Sequence, residues 1–148
     1  MNNTFLFLLS FLVGMMVVIQ GSINARLGVL LNSALLATTT ALVISASFTV
    51  VATISTVRNF PSIDKLQAVP AYMWFSGGVF SFLAVTLFYY IIPRVGISTA
   101  VTFGLAGQVL FAAIASHFGW FGMPIESITT KKVMGMMVMI ISVIIIKS

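Results

Sequence analysis

Residues 4–25 read TFLFLLSFLVGMMVVIQGSINA, a run without a single charge. A helix needs about 20 predominantly apolar residues to cross the hydrocarbon core of a bilayer. Lipid offers the backbone no hydrogen-bond partner, so a spanning segment must satisfy its own N–H and C=O groups, as a helix does. The stretch therefore reads as a transmembrane helix. It does not read as a cleaved leader. The first basic residue is Arg26, after the apolar run rather than before it, and more membrane segments follow.

Working outward, the same reading recurs at about 33–57, 72–92, 97–118 and 131–147. The expectation is an all-α polytopic membrane protein with five transmembrane helices in one domain, 1–148. Composition agrees. Of 148 residues, 60% are hydrophobic and 6% charged, and the mean hydropathy is +1.19. Soluble domains carry about 25% charged residues, so this surface must face lipid. Seven basic and two acidic residues leave a net charge of +5. The basic residues are scattered, which excludes a nucleic-acid footprint. With no cysteine, disulfides and thiolate metal sites are excluded.

The breaks between spans have readable causes. Arg26, Gly28 and Asn32 mark the first; Arg58, Pro61, Asp64, Lys65 and Pro70 mark the second. Pro93, Arg94 and Gly96 make a tight third, and Gly119, Gly122, Pro124 and Glu126 make the fourth. Trp74 and Trp120 fall near helix ends, where indoles favour the membrane interface. Five spans place Arg58, Lys65, Lys131 and Lys132 on one side and Arg26, Arg94 and Lys147 on the other. The positive-inside rule puts the richer side in the cytoplasm, but four against three is almost no bias. The expectation is insertion in both directions and pairing as an antiparallel homodimer. A fixed orientation is the alternative.

Membrane helices associate where small residues let backbones approach. Gly14, Gly21 and Gly28 repeat every seven residues in the first span. Ala100, Gly104, Gln108, Ala112 and Ser116 repeat every four in the fourth. Polar groups within spans are costly and are default candidates for function. Gln20 and Asn24 lie one turn apart on one helix face. Gln108 is in the middle of the fourth span, His117 at its end, and Tyr89 and Tyr90 late in the third. The amides serve either as interhelical glue or as solute contacts, and the sequence leaves both open. His117 is either an interfacial residue or a proton-sensitive group. Arg26 and Arg94 either snorkel or contact anions. No carboxylate lies within a span, no Gly-rich phosphate loop is present, and no metal-ligand or nucleophile constellation appears. No enzyme activity, cofactor or metal is expected.

The run Gln20-Gly-Ser-Ile-Asn24-Ala-Arg-Leu-Gly28 resembles the first-helix motif of the YdcZ-like family of the drug/metabolite transporter superfamily. Pro93-Arg94-Val-Gly96, Gly107-Gln108, His117-Phe118-Gly119 and Trp74 with Gly77 and Gly78 fit the same pattern. The resemblance covers nearly the whole chain. It implies a five-helix unit similar to half of a ten-helix EamA-type transporter, whose two halves have inverted topology. A lone half needs an antiparallel second copy, with Val133 to Ile146 at the dimer contact and Gly135 and Ser142 as small positions there. One departure stands out: the family pattern often has Asp before His-Phe-Gly, where this chain has Ser116.

The expected function is transport of a small organic solute by alternating access, in a bacterial inner membrane. The expected solute contacts are Gln20, Asn24, Gln108, Tyr89 and Trp74, with His117, Arg26 and Arg94 as coupling or anion contacts. A dual-topology ion channel and a non-transporting helical subunit remain alternatives.

Overall fold

The computed structural model describes residues 2–122 and 124–147. They form helices and connections, with no strand among them. The helices are α1 (Asn3–Leu30), α2 (Ala34–Thr56), the one-turn α3 (Ile63–Gln67), α4 (Ala71–Val95), α5 (Ile97–His117) and α6 (Thr130–Lys147). A short 3-10 turn, Trp120–Gly122, follows α5. Two compact units result, Met1–Arg94 and Val95–Ser148.

In the first unit α1 runs past Arg26 and Gly28, which the sequence reading placed in the break. The chain turns instead at Asn32, which takes a left-handed φ of 50°, a conformation Asn tolerates better than most side chains. Ser33 then caps α2 by accepting the Leu36 N–H at 3.2 Å. Its own N–H donates to the Gly28 carbonyl at 2.9 Å. Gly28 makes this hairpin possible, because a Cβ there would sit 3.3 Å from Ala34 Cα. Gly21 serves the contact with α4, where a Cβ would meet the Phe88 ring at 3.1 Å. Gly14, the third member of the heptad repeat, has open space beside it.

Helix α4 likewise overruns its expected end at 92. Pro93 lies inside its last turn, where it removes one N–H and leaves the helix intact. The break falls at Gly96, whose φ of 85° suits a residue without Cβ. In the second unit, Gly119, Phe121 and Gly122 all take left-handed φ values. The connection folds back so that the Glu126 N–H donates to the Ser116 carbonyl at 3.0 Å. Of the four-residue repeat on α5, Ala100 is buried and Gly104 and Ser116 are half-buried, while Gln108 and Ala112 are exposed.

Alanine is the commonest buried hydrophobic residue among those described. The buried hydrophobic residues among those described are Ala25, Ala37, Tyr89, Ile92, Ala100, Ala106 and Val143. Phe7, Phe48 and Phe75 are more than 70% exposed. A protein with alanine inside and phenylalanine outside is built for lipid, where burying large apolar groups gains nothing and close backbone approach does. Among the described residues α1, α2, α4 and α5 are long and apolar enough to cross a membrane. Helix α6 has 18 residues and carries Lys131, Lys132 and Lys147 at its ends, and it falls outside that set.

Candidate functional site

Tyr89 is the centre of the polar network in the first unit. It sits on the face of α4 turned to α1 and is 2% exposed. Gln20 and Asn24, one turn apart on α1, both reach its phenol. Asn24 Nδ2 donates to Tyr89 Oη at 2.9 Å, and the Tyr89 hydroxyl donates to Gln20 Oε1 at 3.3 Å. The phenol thus accepts from one amide and donates to the other. This leaves the Gln20 amide protons and the Asn24 carbonyl oxygen without a partner among the described residues. Gln20 is exposed and Asn24 half-buried. One end of each amide thus ties α1 to α4, and the other end stays open.

Tyr89 also lines a cleft of about 840 Å³ formed by the end of α1, the start of α2 and the end of α4. Leu35, Leu87 and Pro93 contribute apolar wall, and Asn32, Ser33 and Thr86 contribute polar groups. The Thr86 hydroxyl oxygen is buried without a hydrogen-bond partner. Arg94 stands at this cleft, its guanidinium carbon 3.4 Å from the centroid of the Tyr90 ring. It also donates to the Tyr90 carbonyl. Arg26 is exposed on α1 and is not part of the lining.

The remaining expected site residues lie elsewhere. Trp74 is exposed in the first turn of α4, about 22 Å along the helix from Tyr89 at 1.5 Å per residue. The structure does not bring it to the amides. Gln108 is on α5 in the second unit, exposed and without a hydrogen-bond partner among the described residues. His117 ends α5. Its Nδ1 accepts the Ile128 N–H at 3.4 Å, and its ring meets Phe118 edge-on. It thus helps hold the α5–α6 connection. In that connection Lys132 donates to Glu126 at 2.8 Å and holds its carboxyl below the usual glutamate range through that hydrogen bond and its charge.

Asn32, Ser33 and Thr86 were not among the expected site residues. Ser33 before an apolar run is a readable cap signal, and Asn32 is a readable turn residue. Their meeting with residues about 55 positions later depends on how α4 packs, for which the sequence carries no local mark.

Long apolar helices packed through small residues define a small multi-pass membrane protein. The chain belongs to the YdcZ family: the family model described as "Putative inner membrane exporter, YdcZ" matches residues 5–145. It is thus an inner-membrane protein of an exporter family, not of an enzyme family, as the run from Gln20 to Gly28 implied. No curated protein and no solved structure gives a significant match.

Proposed function

We propose that the chain exports a small organic solute by alternating access as an antiparallel homodimer. The observation that carries this reading is the divided use of Gln20 and Asn24. Their bonds to Tyr89 fix the side chains, and their outward halves keep hydrogen-bonding capacity for a guest. Interhelical hydrogen bonds in membranes average only about 0.6 kcal/mol, a small return for placing two amides in a span. Helix α6 is the fifth span in this reading. It rises about 27 Å at 1.5 Å per residue, close to the hydrocarbon thickness, with its terminal lysines snorkelling to the two interfaces. A single five-helix copy lacks the inverted repeat on which alternating access is commonly built, and an antiparallel partner supplies it. Gln108, exposed on α5, joins the solute path of the dimer.

The test is flux in vesicles reconstituted with the full chain. Saturable flux is expected, and Asn24→Leu and Gln108→Leu each lower it by about tenfold or more, as loss of a buried polar contact to substrate does. If Gln108→Leu transports like wild type, the proposed path is wrong. Flux that rises without saturation belongs to a channel.

A further inference from the structure

We infer that the cleft at the end of the first unit binds an oxyanion carried on an apolar body, with Arg94 as its charge partner. The inference deepens the transport reading by naming a substrate class, and rests on that reading for the site's purpose.

Charge is the first argument. The only carboxylates of the chain are Asp64 and Glu126. Glu126 is paired with Lys132 and belongs to the second unit. Asp64 is in α3, ahead of the start of α4, whereas Arg94 is in the last turn of α4. About 35 Å of helix separates Ala71 from Arg94. The cleft end of the first unit therefore carries Arg94 with no acid of its own. One carbonyl, that of Tyr90, receives one guanidinium N–H; a guanidinium has five.

Geometry is the second argument. The guanidinium is stacked against the Tyr90 ring, which orients its planar fork and lessens the ordering cost of a bidentate partner. Helix α2 begins in the same cleft, with Ala34 and Leu35 in the lining. The partial positive charge of its first turn offsets part of the partial negative charge of the last turns of α1 and α4, so the full positive charge at the cleft is that of Arg94. The volume of about 840 Å³ is in the range of small-molecule sites. Leu35, Leu87 and the tyrosine rings supply apolar wall for the body of the guest. A bare inorganic ion would leave that wall unused. Two sources share the required chemistry: a soluble organic acid and an anionic lipid headgroup.

The experiment uses the full-length chain in phosphatidylcholine nanodiscs near neutral pH, with radiolabelled benzoate as probe and benzamide as its uncharged counterpart. Saturable benzoate binding is expected, with benzamide weaker by about tenfold, the loss typical of one charge-assisted hydrogen-bond pair. Arg94→Gln brings benzoate down to the benzamide level. Arg94→Lys, which keeps the charge without the fork, falls between, and Arg58→Gln, beyond the far end of α2, leaves binding unchanged. In phosphatidylglycerol nanodiscs, retained binding assigns the site to a soluble acid. Binding lost there in wild type, with phosphatidylglycerol enriched around wild type over Arg94→Gln, assigns it to lipid. Equal binding of benzoate and benzamide, or benzoate binding indifferent to Arg94→Gln in monodisperse protein, overturns the inference. Benzoate binding through Arg94 without flux of any solute sinks the transport reading and leaves the site. Saturable flux of a neutral solute with no benzoate binding does the reverse.

Discussion

Gly28 and Gly14 lie two heptads apart on one face of α1, yet only Gly28 meets a neighbour. A methyl group at 28 would press on the Ala34 backbone, which cannot rotate away as a side chain can. Gly28→Ala should destabilise the chain by about 1–3 kcal/mol, the usual cost of overpacking. Gly14→Ala has open space and should be neutral or stabilise the helix by about 0.5–1 kcal/mol. Thermal unfolding of the two variants in one detergent compares them directly, and equal midpoints would show the α1–α2 contact to be misplaced. The seven-residue repeat was legible in the sequence. Which of its members touch anything was not, because that depends on where α2 begins and where Phe88 falls. Tyr89 gives a companion case. Tyr89→Phe removes both amide bonds and should cost about 1 kcal/mol, near twice the average for one such bond, read by the same unfolding assay. Its lateness in the third span was visible from sequence, while its place between Gln20 and Asn24 needed the packing of α4.

The connection between α5 and α6 shows an element held by its ends. Its backbone returns to Ser116, and His117 and the Glu126–Lys132 pair add side-chain ties. Because Lys132 depresses the Glu126 pKa, the pair is fully formed above the ordinary glutamate value of about 4.3. It is lost as pH falls through the lowered value of the folded chain. In a carbon-13 titration Glu126 should have its midpoint below the ordinary value and return to it in Lys132→Gln. Both partners are exposed, so added salt should also move the midpoint upward. An unchanged midpoint in the variant would remove the pair as the cause. Helix ends were the least legible elements. Pro93 looks like a terminator and is not one, because near a helix end the loss of one bond is small. The one-turn α3 escaped notice because five residues carry no periodic signal.

Across the whole molecule, lipid-facing character was legible from composition alone, and so was the family, through a polar run inside an apolar helix. The fifth span was expected from the same hydropathy. Helix α6 is present, but its three lysines set it apart from the four longer apolar helices. On the proposed five-span topology the basic residues divide almost evenly between the two sides, a balance that goes with mixed insertion. Reporter fusions at the C-terminus should find it on both faces of the inner membrane. Two added lysines in the loop at 58–65 should collapse this to a single orientation. A single orientation in the unaltered chain would exclude the antiparallel pair.

The alanine-lined interior reverses the usual pattern of tolerance to substitution. In a soluble domain, trimming the large buried residues does the damage. Here the large residues other than Tyr89 and Ile92 are mostly on the outside, in a solvent that accepts any hydrocarbon, so Leu, Ile, Met and Phe should interchange there with little effect. A saturation scan scored for folded protein should therefore show its deepest troughs where Ala25, Gly28, Ala37 and Ala100 are enlarged, and broad indifference among the greasy positions around them.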